Sequence, residues 1–129
     1  MTDPGPPPKR LPVVLLVDDE PLVLESIGWE LRESCEVHTA TSAAEADLRI
    51  AERTFDAIVC DHMLDGEQGI DFLVRMQEQI PATRRILMTG YMNAEFIARS
   101  TAIAGLSVCL VKPLKTAEIA RAIRAALAS

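Results

Sequence analysis

Long apolar runs are missing from this sequence. No stretch approaches the roughly 18 residues that a helix needs to cross a bilayer, and Met1 to Arg10 lacks the apolar segment of a secretory signal. Both absences predict a soluble, cytoplasmic protein without membrane association. Basic charge is scarce as well. The 13 Lys and Arg residues are outnumbered by 19 Asp and Glu, giving a net charge of −6, and direct nucleic-acid binding needs a basic surface. Cysteine is sparse: Cys35, Cys60 and Cys109 are odd in number and form no C-x-x-C pair. Each stands in an apolar or strand-like context and reads as a small buried thiol.

What is present is material for one domain: 129 residues, 49% of them hydrophobic. Pro4, Pro6, Pro7, Pro8 and Pro12 crowd the start. Such composition cannot pack a core, so residues 1–11 are expected to form a disordered leader and residues 12–129 the domain. Val13 to Val17 is continuously apolar, as in a strand buried on both faces. Pro21 suits the first position of a helix that carries Leu24, Ile27 and Leu31 on one face. Residues 35–39 alternate instead, with Cys35, Val37 and Thr39 set against Glu36 and His38, which predicts an edge strand with one wet face. Ser42 and Glu45 read as a capping box for a second helix running to about Arg53.

The alternation then repeats. Ala57 to Cys60 is a third strand, followed by a helix marked by Ile70, Leu73 and Val74 and closed near Pro81. Ile86 to Met88 is a fourth strand. A fourth helix over about Ala94 to Ala104 ends before Gly105, a plausible C-cap. Val108 to Val111 is a fifth strand, and Thr116 is expected to cap a last helix with Ile119, Ile123 and Leu127 on its buried face. Strands alternating with helices imply an α/β fold: a doubly wound parallel sheet covered on both sides.

In such a sheet, ligands bind beyond the carboxyl ends of the strands. Asp18 and Asp19 follow strand one, Asp61 strand three, Thr89 strand four and Lys112 strand five. The fold therefore predicts three carboxylates, a hydroxyl and an ammonium along one edge. Two carboxylates at ~4 Å and an effective dielectric of ~20 repel by about 4 kcal/mol. A bound cation removes that cost, and an all-oxygen site favours Mg²⁺. With a free carboxylate and a Lys nearby, the arrangement suits phosphoryl transfer.

Each residue also has a plainer reading. Acids before Pro21 favour a helix start. Asp61 in the run Asp61 to Gly66 could serve a turn, and Thr89-Gly90 is a common turn pair. Lys112-Pro113 marks the end of a strand. His62 reads as a loop residue, with His38 too isolated to form a site with it. The signal lies in the joint placement at strand ends on one edge.

These residues resemble the receiver domain of two-component response regulators from about residue 12 to the end. The resemblance implies the flavodoxin-like (βα)5 fold with strand order 2-1-3-4-5, an order that the edge character of strand two supports. It implies that Asp61 is the phospho-acceptor, that Asp18, Asp19 and Asp61 hold Mg²⁺ with the backbone carbonyl of Met63, and that Thr89 and Lys112 bind phosphoryl oxygens. Gly69 stands at the family's distance after the acceptor, Gly90 is the small residue beside Thr89, and the Lys112–Pro113 bond is expected to be cis. The implied partners are a sensor histidine kinase or a histidine phosphotransfer protein and a downstream effector or output domain. The implied state is a monomer or a phosphorylation-dependent dimer that signals through the face made by the fourth helix, the fifth strand and the last helix.

Three positions depart from the family's common pattern. Cys109 stands where a switching Tyr or Phe is usual, Asp65 where a Pro is common, and Met63 at a position that tunes dephosphorylation. Tyr91, the only Tyr in the chain, is a candidate replacement for the missing rotor; equally, it could only cover the site and set solvent access. Two other functions compete with this one. A binding module independent of phosphate draws support from Cys109 alone. A Mg²⁺-dependent aspartyl phosphatase needs its nucleophile and acid two residues apart, whereas Asp18 and Asp19 are adjacent. The reading is therefore of a switch that takes part in its own phosphorylation and is not an enzyme with turnover.

Overall fold

Val13–Val17 (β1) and Ala57–Asp61 (β3) are buried at every position, which only a strand with neighbours on both edges and helices on both faces can achieve. The computed structural model describes residues 10–129; residues 1–9 of the expected leader lie outside the described residues. Ten elements alternate. The others are α1 (Pro21–Leu31), β2 (Glu36–Ala40), α2 (Ala43–Glu52), α3 (Gly69–Gln79), β4 (Arg84–Thr89), α4 (Ala94–Ala104), β5 (Val108–Val111) and α5 (Thr116–Ala128). The five strands are parallel in the order β2-β1-β3-β4-β5, the flavodoxin-like arrangement. Crossovers run outward in both directions from β1, so the chain reverses between β1 and β3 and leaves a crevice at their carboxyl ends.

Each face of the sheet carries its own core. Leu15, Val17, Ile58, Cys60 and Leu87 pack with Phe72, Leu73 and Met76 of α3 and Ala104 of α4. On the opposite face Val14, Leu16, Val59, Ile86 and Met88 pack with Leu24, Ile27 and Leu31 of α1 and with Ile119 and Ile123 of α5. This odd–even division is the period-2 pleat written onto unbroken apolar strands.

The local signals are met in most places. Pro21 opens α1. The Ser42 hydroxyl accepts from the Glu45 N–H, although the Glu45 carboxylate takes the Thr41 hydroxyl instead of closing the capping box. Gly105 ends α4 in the left-handed region at φ 58°. Other details differ. Lys115 occupies the N-cap of α5 without a side-chain bond, and Thr116 is already helical. The α5 core face uses Ala120 and Ala126, with Leu127 only partly buried, because small residues let the helix lie close to the sheet. In β2, Thr39 is exposed while the His38 ring packs edge-on against Phe55 at 5.6 Å, so the wet face is narrower than alternation suggested.

One structural residue had no sequence signal. Arg85 is buried in β4, and its guanidinium donates to the carbonyls of Ala104 (2.7 Å), Thr83 (2.7 Å), Gly105 (3.1 Å) and Pro81 (3.2 Å). Burial lowers its pKa, yet these carbonyls include the negative end of α4 and satisfy the charge. Arg85→Met keeps the volume and leaves the acceptors without a donor. It should cost about 2–4 kcal/mol, read as a lower urea midpoint at unchanged m-value.

Candidate functional site

The strand order gathers the polar residues that follow four separate strands. Asp18 leaves β1 directly and is 1% exposed. Its Oδ1 accepts the Glu20 N–H at 2.9 Å, turning the chain into α1. Its Oδ2 is buried with no hydrogen-bond partner. Asp61 is the last residue of β3 and Thr89 the last of β4, and both are buried. Lys112 follows β5, and its Nζ lies 2.8 Å from Asp61 Oδ1. The Lys112–Pro113 bond is cis. One carboxylate oxygen from each of Asp18, Asp19 and Asp61 can be chosen so that all lie within 4.8 Å of one another.

The electrostatics follow from this crowding. The Asp18 carboxyl is pushed up to about 6, chiefly by desolvation, with the charges of Asp61 and Asp19 adding to the rise. The Glu20 N–H and the Lys112 charge act in the opposite direction. Partial burial works against the Lys112 ammonium, but its hydrogen bond to Asp61 and the charges of Asp61, Asp18 and Glu20 together raise its pKa. A buried carboxylate oxygen without a partner, beside two further carboxylates, is a donor set for a small hard cation. The residues present therefore fit Mg²⁺. Asp18, Asp19 and Asp61 would hold it, and it would neutralise charge on the oxygens of an incoming phosphoryl group.

Gly69 has a definite steric role. A Cβ there would stand 2.2 Å from the Asp61 carbonyl oxygen and 2.8 Å from the His62 Cα. Its N–H also donates to the His62 carbonyl at 2.8 Å. The first turn of α3 is thus pressed against the backbone that presents Asp61. Gly90 is different: its φ is not positive and a Cβ would meet nothing within 4 Å, so this conformation does not demand glycine there.

His62 departs from the sequence reading. It follows β3 in a loop as expected, but its ring is buried, and burial lowers its pKa despite the nearby charges of Asp61 and Asp71. It meets Tyr91 at 5.4 Å and Phe96 at 5.2 Å, both edge-on, and Tyr91 meets Phe96 at 5.2 Å. Each such pair contributes roughly 0.5–1.5 kcal/mol beyond its buried area. The cluster draws on the loop after β3, the β4–α4 loop and α4, so no local pattern could reveal it. Phe96 gave no signal at all. Met63 follows in the β3–α3 loop with its side chain exposed, and Asp65 lies further along the same loop, also exposed. Of the thiols, Cys35 and Cys60 are buried as expected, whereas Cys109 is only partly covered, facing the α2-α3-α4 core from edge strand β5.

A doubly wound sheet with an acidic crevice at its topological switch point, faced by a Thr and a Lys from the next two strands, defines a class of α/β domain with a polar site at the carboxyl ends of its strands. Residues 14–124 match the family model described as the response regulator receiver domain. The chain belongs to that family, the receiver domains of two-component response regulators. It is 33% identical over 100 residues to the hydrogenase transcriptional regulatory protein HoxA of Cupriavidus necator, covering 78% of this chain and 21% of that protein. It is 37% identical over 101 residues to the alginate biosynthesis transcriptional regulatory protein AlgB of Pseudomonas syringae pv. tomato, covering 78% and 22% respectively. The phosphate regulon regulator PhoB of Rhizobium meliloti is 31% identical over 121 residues, or 91% of this chain and 52% of that one. The chain thus spans between about a fifth and a half of the length of these relatives. Among solved structures, the signal receiver domain of an HD domain-containing protein from Pseudomonas fluorescens Pf-5 superposes with a TM-score of 0.83 at 31% identity, covering 92% of this chain and 96% of that one.

Proposed function

We propose that this domain accepts a phosphoryl group on Asp61 from a histidine kinase or a histidine phosphotransfer protein, in a Mg²⁺-dependent step. The observation that carries this reading is the buried Asp61 carboxylate, bonded to Lys112 Nζ at 2.8 Å and clustered with Asp18 and Asp19. An Asp61 oxygen attacks phosphorus, the bond from phosphorus to the donor imidazole nitrogen breaks, and its electron pair stays on the imidazole. Lys112 neutralises charge on the transferred group, and the Thr89 hydroxyl donates to one of its oxygens. Met63 would add its backbone carbonyl to the metal ligands. The covalent charge of about −1.5 to −2 then alters the face made by α4, β5 and α5, where an effector or output domain reads it.

The domain changes state without turning over a substrate. On this reading it works in the cytoplasm beside its kinase, as a monomer or a phosphorylation-dependent dimer. On the same reading residues 12–129 form the receiver. Among the described residues no helix is long and apolar enough to cross a membrane. Intact-mass analysis after incubation with Mg²⁺ and acetyl phosphate tests the proposal: one phosphoryl group should be gained, and a chain that gains none would refute it.

Metal binding should carry its own signature. Asp19→Ala removes an exposed carboxylate from the cluster, so its Mg²⁺ titration should be at least ~10-fold weaker than that of the parent. Protons compete with the metal at Asp18, whose folded pKa of about 6 lies above its ordinary value of 3.8. Without metal the folded state binds the extra proton, so this group's contribution to stability falls as pH rises from about 4 to 6. Mg²⁺ should reverse that slope. The rise in melting temperature on adding Mg²⁺ should be larger at pH 7.5 than at pH 5, and an equal rise at both would remove Asp18 from the site.

A further inference from the structure

We propose that His62, Tyr91 and Phe96 form an aromatic latch that positions the Thr89 hydroxyl and carries its movement into α4. The inference rests on the phosphoryl-acceptor reading and adds a route by which the site is coupled to the surface.

The route is continuous. Thr89 Oγ1 accepts the backbone N–H of Tyr91 at 3.1 Å, and Thr89 is 1% exposed, so water has little access to replace that bond. A hydroxyl that turns to donate to an oxygen on Asp61 moves the acceptor on which the Tyr91 amide depends. The Tyr91 backbone must follow or lose its partner. Its ring is held edge-on by two others: His62, the residue after Asp61, and Phe96, in the first turn of α4. His62 and Phe96 also touch one another, so each ring contacts the other two. Tyr91 is half exposed and Phe96 partly buried, whereas His62 is buried, so a Tyr91 ring drawn along by its backbone has room to move and changes its edge contacts with both other rings as it does.

Two further observations favour this latch. The His62 ring has a buried Nδ1 with no partner, so packing against the other two rings holds the imidazole where hydrogen bonding does not. The Asn93 side chain caps α4 by accepting from the N–H groups of Glu95 and Phe96, which fixes Phe96 to the helix start. Movement at Phe96 therefore moves the first turn of α4 as a unit. On the neighbouring strand β5, Cys109 packs against the sheet face covered by α2, α3 and α4 and brings no ring to it.

The test compares backbone amide spectra with and without beryllofluoride, a non-hydrolysable phosphoryl mimic, for wild type, Phe96→Leu and Phe96→Tyr. Shifts of the Asp61 and Lys112 amides report occupancy, and shifts over Ala94–Ala104 report α4. Wild type should shift at both places. Phe96→Leu should keep the Asp61 and Lys112 shifts and lose those in α4, and Phe96→Tyr, which keeps an aromatic edge, should restore them. Full α4 shifts in Phe96→Leu would overturn the latch. Loss of beryllofluoride occupancy in Phe96→Leu would also overturn it, because the ring would then serve the site itself. A wild type that takes up no beryllofluoride would instead sink the phosphoryl-acceptor reading. Should Phe96→Leu fold poorly, Tyr91→Leu paired with Tyr91→Phe gives the same comparison from the loop side.

Discussion

Asp61→Asn should gain no phosphoryl group under conditions in which the parent is modified to near completion. The substitution preserves shape and removes the nucleophile. An amide oxygen is a far weaker nucleophile than a carboxylate, and the amide has no negative charge to offer a cation. Asp18 and Asp19 remain, but the 2.8 Å bond that fixes the Lys112 ammonium is made to Asp61, so neither has the same partner. The loss should be complete on the timescale of the wild-type reaction. Intact mass reads it directly, and peptide mapping of the parent should place the label on Asp61. If Asp61→Asn is phosphorylated as readily as the parent, another side chain is the acceptor. The variant should also be more stable without metal, since removing one of the mutually repelling carboxylates relieves the cluster. That opposite sign separates a chemical loss from simple unfolding.

Gly69→Ala should have the second large effect. The new methyl would stand 2.2 Å from the Asp61 carbonyl oxygen and 2.8 Å from the His62 Cα. Both obstacles are backbone, so no side chain can rotate away. The start of α3 must retreat from the end of β3, which strains the bond from the Gly69 N–H to the His62 carbonyl. A cost of about 2–4 kcal/mol is expected, spanning the upper part of the usual overpacking range and somewhat beyond it. The unfolding midpoint in urea measures it. Because the same backbone presents Asp61 and leads to Met63, Mg²⁺ affinity should fall as well, even though no ligand side chain has changed. A fully stable Gly69→Ala protein with parental Mg²⁺ affinity would show that α3 can move without consequence for the site.

The two variants illustrate how unevenly the site was legible. Asp18, Asp19, Asp61, Thr89 and Lys112 could be picked out because each abruptly ends an apolar strand, and a parallel sheet gives such ends one destination. Gly69 could be placed by family spacing, but its steric necessity required coordinates: nothing in a linear sequence says that α3 begins within contact of β3. His62 read as a loop residue because hydropathy is scored along the chain, while its burial comes from rings at positions 91 and 96. Arg85 was invisible for the same reason. A charged residue in a strand looks like a wet face until four carbonyls converge on it. Gly90 is the small residue that the resemblance implies beside Thr89, and in this conformation a Cβ there would meet nothing within 4 Å, so the coordinates add no steric reason for glycine.

By itself, the sequence determined the alternation of strands and helices, the burial of β1 and β3, the helix start at Pro21 and stop at Gly105, and which polar residues stand at strand ends. These are local or periodic properties, set by backbone geometry and by the pattern of apolar side chains over a few residues. The tertiary structure alone decided the strand register, the 2.8 Å approach of Lys112 to Asp61 and the unpartnered oxygen of Asp18. It also decided the meeting of His62, Tyr91 and Phe96, and the number of carbonyls around Arg85. Those depend on contacts between residues distant in the chain, where shifts of an ångström separate a bond from a gap. No short-range pattern encodes distances on that scale; they arise when two independent apolar faces pack on one sheet and bring its ends together.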